Sequence, residues 1–200
     1  MKKFLLILAA FLSINAFAQE QTESSNQIRL QVGYSAPSID GNSKGGTDKG
    51  MNFKLSDDFF VTKNRNWFIG FGVNYLRSSF DNIGVDDVSA DIYSLTFRSG
   101  WKASLNTKFD AWGVIECGPA YMQSRHQYHG NRFRTQSPTV VAGLEVGLDY
   151  NVSDSFALSL SCGTNKYGNN ALQHGSTPSV SSSPLNFNST QINCGFVVKF

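Results

Sequence analysis

Hydrophobic and polar residues alternate with a period of two in eight separate stretches of the chain. Successive side chains of a β-strand point to opposite faces, so each stretch predicts a strand with one apolar face. Their lengths are near the roughly 9–11 residues that a tilted strand needs to cross a membrane. The stretches cover residues 27–35, 50–59, 67–76, 92–102, 111–122, 139–150, 156–163 and 189–200.

The connections between these stretches alternate between long and short. Long polar connections follow the first, third, fifth and seventh stretches, and short links such as "TKNRN" and "NVSDS" follow the others. Long loops at one end and short turns at the other are expected of an outer-membrane barrel. The sequence therefore predicts an all-β fold, an eight-stranded antiparallel transmembrane up-and-down β-barrel. The alternative is a soluble all-β domain.

The aromatic residues distinguish between these two folds. If the first strand starts at the short-turn end and direction alternates, one group of aromatics falls at that end and a group of tyrosines at the other. Two such girdles are expected at the two membrane interfaces, and a soluble sandwich has no reason to form them. The short-turn group is Trp67, Trp101, Trp112, Tyr150, Phe156 and Phe200, and the long-loop group is Tyr34, Tyr75, Tyr93 and Tyr121.

The start of the chain has the pattern of a secretory signal peptide. Two lysines precede an apolar run, and small residues follow at Ala16 and Ala18. This predicts a signal peptide over residues 1–18, cleaved before Gln19, and one barrel domain over residues 19–200. We expect a protein that is exported and then inserted into the cell outer membrane, with both termini on the periplasmic side.

Composition narrows the classes of partner. The chain has 17 Lys and Arg against 15 Asp and Glu, and without Lys2 and Lys3 the two counts are equal. A neutral protein lacks the basic excess that nucleic-acid binding needs, so no nucleic acid is expected. No cofactor and no metal site are predicted, and we expect a monomer surrounded by outer-membrane lipid, including lipopolysaccharide.

The last stretch, "STQINCGFVVKF", alternates up to a final phenylalanine. In lipid every backbone polar group needs a partner, so this strand is expected to pair with the first and close the sheet. A terminal phenylalanine also resembles the signal for outer-membrane insertion. With "SDDFFVTKNRNWFIGFGVNY", the pattern resembles small OmpA/OmpX-like outer-membrane barrels of the Bacteroidota type. That family is functionally mixed, so the resemblance implies a fold and no single activity.

Charged residues on the inward positions form the first candidate site. An eight-stranded barrel is barely wide enough for its own side chains, and enclosed charges must be paired. Two interpretations stay open: a hydrogen-bonded plug of ion pairs, or a narrow gated channel for ions or small solutes. The lumen charges are Arg29, Lys54, Arg98, Lys102, Glu116, Glu145 and Asp149.

The third long loop, "SRHQYHGNRFR", forms the second candidate site. Arginines beside aromatics can bind the phosphates of lipopolysaccharide or an acidic partner surface. The alternative is a solvated loop whose positive charge is attracted non-specifically to the anionic outer leaflet. The candidate residues are Arg125, His126, His129, Arg132 and Arg134.

An enzymatic function is not predicted. Barrel lipid A deacylases use a histidine, a serine two residues later and a glutamate, whereas here Tyr128 and Asn131 follow the two histidines at that spacing. Glu145 without a nucleophile is not a catalytic set. The leading prediction is a non-catalytic barrel that presents loops for surface interaction or serves membrane integrity.

Overall fold

Eight antiparallel strands pair in sequence order, and β1 also pairs with β8, so the sheet closes into a barrel. The computed structural model describes residues 26–39, 49–62, 64–80, 86–128, 131–168 and 187–200. No helix within these ranges is long and apolar enough to cross a membrane. The predicted fold class is confirmed. The strands are β1 Asn26–Ile39, β2 Lys49–Phe60, β3 Trp67–Phe80, β4 Asp86–Ser104, β5 Phe109–Tyr128, β6 Asn131–Ser153, β7 Phe156–Tyr167 and β8 Phe187–Lys199.

The barrel has two distinct ends. We call the end with the connections 61–66, 105–108 and 154–155 the turn end; it also holds Asn26 and Phe200. The opposite end, where β1 finishes and β2 begins, is the loop end. The predicted signal peptide at residues 1–18 lies outside the described residues and stays a prediction.

The strand register fixes how far the strands are staggered. Following paired residues from Ala36 on β1 through β8 and back around the barrel leads to Asn26, ten residues away on the same strand. This stagger is the shear of the barrel, and with eight strands it requires strands tilted by about 35–45°. The interior is then only wide enough to be filled by side chains.

The outer wall carries an apolar band between two rows of aromatics. Trp67 and Trp101 pair near the turn end, while Tyr75 and Tyr93 pair eight residues further along the same two strands. At about 3.3 Å per residue and the usual tilt, these rows lie roughly 20 Å apart along the barrel axis. That spacing is close to the ~25 Å apolar band of outer-membrane barrels.

One predicted member of the turn-end girdle lies elsewhere. Trp112 is buried inside the barrel, because it has the inward parity of its strand. Its indole ring lies over Gly147, its partner on β6, and a Cβ added to Gly147 would be 2.5 Å from Trp112 Cζ2. The glycine therefore makes room for the ring, as glycines beside strand aromatics often do.

The central hairpins extend further than the alternation predicted. Residues 123–138 were expected to form a long loop, yet β5 continues to Tyr128 and β6 begins at Asn131. The fourth strand likewise begins at Asp86 instead of residue 92. Apolar alternation ends near residue 122, but backbone pairing continues beyond it, because the ladder of backbone hydrogen bonds does not require apolar side chains.

Candidate functional site

Seven charged residues predicted to face the lumen are buried inside the barrel, each in an ion pair with a residue of opposite charge. They are Arg29, Lys54, Arg98, Lys102, Glu116, Glu145 and Asp149. The structure adds Asp58 and Asp110, which the sequence analysis did not place in the lumen. Asp58 has the parity of Lys54 and Ser56, so its alternation was a usable signal.

Arg29 and Asp149 form a bidentate pair near the turn end. Arg29 Nη1 lies 2.6 Å from Asp149 Oδ1, and Nη2 lies 3.0 Å from Oδ2. The guanidinium also donates to Ser159 and lies 4.0 Å from the centre of the Trp112 ring. Trp112 Nε1 donates to the same carboxylate at 2.9 Å. Both charges are therefore held in one geometry by several independent contacts.

Lys54 bridges two carboxylates at the middle of the lumen. Its Nζ lies 3.0 Å from Glu116 and 3.0 Å from Glu145. Glu145 also accepts hydrogen bonds from Ser161 and Asn193. This group joins β2, β5, β6, β7 and β8 across the interior, so it occupies the axis of the barrel.

Two further ion pairs complete the charged layers, which are the levels of the lumen that the buried ion pairs occupy. Arg98 Nη1 lies 2.8 Å from Asp58, and Lys102 Nζ lies 3.2 Å from Asp110. At the rim Lys199 Nζ approaches Asp110 at 3.5 Å. With Lys199 included, the described lumen holds five basic and five acidic side chains, so its charge balances.

An apolar layer, which the sequence analysis did not predict, lies inside the barrel toward the loop end. Its members are buried, inward-facing and lie in the loop-end parts of their strands. Tyr167 and Phe187 stack obliquely within it, with ring centres 5.2 Å apart. The members are Leu76, Ala90, Ile92, Ala120, Met122, Val141, Tyr167 and Phe187.

The turn end instead opens into a polar vestibule. A cavity of about 610 Å³ is lined there by side chains that include Gln27, Lys102, Asp110 and Lys199. Phe60 also lines the cavity and packs edge-on against Phe68, with ring centres 5.9 Å apart. The vestibule therefore contains the pair of Lys102 and Asp110.

The candidate binding residues of the predicted third long loop lie on the extended hairpin of β5 and β6. Arg125 lies opposite Arg134, and Arg132 opposite Gln127, while His126 lies opposite Phe133. His129 is outside the described residues. The register thus pairs Arg125 with Arg134, whereas Arg132 and His126 occupy other positions of the hairpin.

Arg125 takes part in a charged cluster on the outer wall at the loop end. Its Nη2 lies 3.3 Å from Asp91, and Arg77 Nε lies 3.9 Å from the other oxygen of that carboxylate. Tyr75 donates its hydroxyl to Asp91 at 2.8 Å. The side chains of Arg77 and Arg125 are 64% and 56% exposed, respectively, so both present N–H donors to the surroundings beyond the tyrosine row.

A comparison with protein families agrees with the closed barrel and with the apolar band between two rows of aromatic residues. The model of the outer membrane protein beta-barrel domain matches residues 4–200. The chain belongs to this family. It is an integral outer-membrane barrel, as predicted. A search of curated proteins finds no match.

Several solved structures of outer-membrane proteins share the fold of this chain. Neisserial surface protein A is 15% identical, with a TM-score of 0.57, covering 89% of this chain and 100% of its own. Ail of Yersinia pestis is 15% identical, with a TM-score of 0.53, covering 88% and 99%. A major outer membrane protein of Thermus thermophilus is 11% identical, with a TM-score of 0.59, covering 88% and 99%. At these identities the likeness establishes the fold alone.

Proposed function

We propose that this protein is a non-catalytic, closed barrel that acts through its outer surface and not through its lumen. The observation that supports closure most strongly is the sequence of layers along the axis. Charged layers with mutually paired side chains are followed by the apolar layer around Leu76 and Tyr167. A solute would have to separate buried ion pairs and then pass a layer of mainly apolar side chains, and both steps are costly.

The loop end is the proposed site of surface interaction. It faces the cell exterior in this proposal, after export by the predicted signal peptide. Arg77 and Arg125 flank the buried Asp91 and keep exposed donors for phosphate or carboxylate groups. Guanidinium groups suit such partners because their N–H donors match two oxygens at once. Lipopolysaccharide phosphates and an acidic surface of another protein are the partner classes that this cluster fits.

Solute flux through reconstituted vesicles tests closure. The folded protein, verified by its heat-dependent mobility on a gel, is placed in liposomes, which are then diluted into isosmotic arabinose. We expect no swelling above protein-free vesicles, while a sixteen-stranded porin, which encloses an aqueous channel, serves as the positive control. Swelling that rises with the amount of protein would favour the alternative, a small channel.

Binding to lipopolysaccharide micelles tests the surface. The double variant Arg77→Gln/Arg125→Gln is expected to weaken binding by about tenfold, the equivalent of one lost charge-assisted hydrogen bond. Lys108→Gln, an exposed change at the turn end, is the control and should bind as the unaltered protein does. Equal weakening by both would contradict a localised site.

A further inference from the structure

A groove interrupts the apolar outer wall on β4 to β7. It has a volume of about 560 Å³. The register places Cys117 beside Ala142 across the β5–β6 pair, between Phe97 on one side and Lys166 on the other. Two small side chains between a phenylalanine and a lysine leave a depression in the outer wall.

The lysine at the edge of the groove stands where other strands carry tyrosine. Lys166 is exposed, lies toward the loop end of β7, and forms no ion pair among the residues that the structure describes. The loop-end tyrosines are on β1, β3, β4 and β5, whereas Thr164 and Lys166 occupy the outward face of β7. A positive charge therefore meets an apolar depression at the interface.

We infer that this groove retains one membrane lipid with an anionic phosphate headgroup. The headgroup contacts the Lys166 ammonium, and an acyl chain lies over Cys117 and Ala142, beside Leu144. A lysine can bury its stem along an apolar surface while its charge stays at the interface, which lets it bridge the two parts of a lipid. A lipid phosphate supplies the charge that the groove lacks.

A second copy of the chain fits this groove less well. Copies related by a two-fold axis along the membrane normal hold the same residues at the same depth. The two Lys166 side chains would then share one interface at the same level, where like charges repel. A lipid satisfies both the charge and the apolar surface. The inference does not depend on whether the lumen is closed.

Native mass spectrometry of the full chain in a mild detergent tests this site. The probes are dimyristoyl phosphatidylglycerol and dimyristoyl phosphatidylcholine, which share acyl chains and differ in net headgroup charge. We expect one phosphatidylglycerol to be retained per barrel in preference to phosphatidylcholine. Lys166→Gln should weaken retention by about tenfold, the loss of one hydrogen bond between charged groups.

Matched variants separate the groove from general effects. Ala142→Leu fills the groove while keeping the lysine and should weaken retention similarly. Lys49→Gln and Ala36→Leu alter exposed, outward residues near the loop end of β2 and β1 and should change nothing. Every variant is first verified as folded by its gel shift. Equal retention of both lipids, equal loss from Lys49→Gln, or dimers in place of lipid adducts would overturn the inference.

Discussion

Removing both sides of the Arg29–Asp149 pair should cost less than the sum of the costs of removing each side alone. Arg29→Met leaves the Asp149 carboxylate buried without its bidentate partner, and Asp149→Leu leaves the guanidinium unpaired. Breaking a buried pair in this way costs about 3–5 kcal/mol of the free energy of unfolding. Lys102 is not left alone in either variant, because Asp110 lies 3.2 Å from its Nζ.

The double variant Arg29→Met/Asp149→Leu removes both charges together. What remains is the Trp112 indole N–H without its acceptor and the Ser159 hydroxyl without the guanidinium that donates to it, and each costs about 1–3 kcal/mol when buried. The two single variants would add to roughly 6–10 kcal/mol if their effects were independent. The structure therefore predicts that the double variant loses less stability than this sum, with a large coupling energy.

Urea unfolding of the protein in lipid vesicles provides the measurement, followed by far-ultraviolet circular dichroism and by gel mobility without boiling. The free energy of unfolding is obtained by linear extrapolation. Arg77→Met is the matched control, because its guanidinium is exposed and 3.9 Å from Asp91, which keeps Arg125 and Tyr75 as partners, so the loss should be at most about 1 kcal/mol. Additive losses in the double variant would refute the proposed coupling across the lumen.

Three further changes test other parts of the structure by the same unfolding assay. Val146→Lys should cost about 2–4 kcal/mol of the free energy of unfolding, because it places a charge in the apolar band. Val152→Lys, on the same strand but at the turn end, should cost at most about 1 kcal/mol. The two valines are 57% and 56% exposed, so equal costs would contradict the placement in the bilayer. Gly147→Val should cost about 1–3 kcal/mol, because its side chain would collide with Trp112, and an unchanged midpoint would show that the ring does not lie there. Leu76→Ala should cost about 2–5 kcal/mol as a truncation within the apolar layer, and a cost well below that would indicate a loosely packed layer.

Much of the fold was readable from alternation alone. Strand number, order and the facing of Arg29, Lys54 and Glu145 follow from a period of two. The expectation for Trp112 is wrong because the residue was assigned by its aromatic character, whereas its parity is that of Asp110 and Val114, which face the lumen.

The apolar layer left a signal in the sequence that strict alternation hides. Adjacent apolar residues occur at "YL" 75–76, "IY" 92–93, "YM" 121–122 and "VV" 140–141. In each doublet one residue faces outward and the other faces the lumen, so both faces of the strand are apolar there. Four such doublets near the loop end predict an apolar layer across the interior.

The identity of each ion pair could not be read from the sequence. Lys54 meets Glu116 and Glu145, which are 62 and 91 residues away along the chain. Which residues share a level inside the barrel depends on its shear, and alternation does not contain that quantity. The extended hairpin beyond residue 122 was missed for a related reason, since its sequence is polar at nearly every position and has no apolar period.

Single-molecule conductance tests the central claim, a closed lumen, most directly. The purified, folded protein is inserted into a planar bilayer and current is recorded across a range of voltages of both signs. The account predicts no conductance steps, because the paired charges and the apolar layer leave no continuous path for ions. Discrete openings that change in size when Glu145 or Arg98 is neutralised would place ions in the lumen and contradict the account.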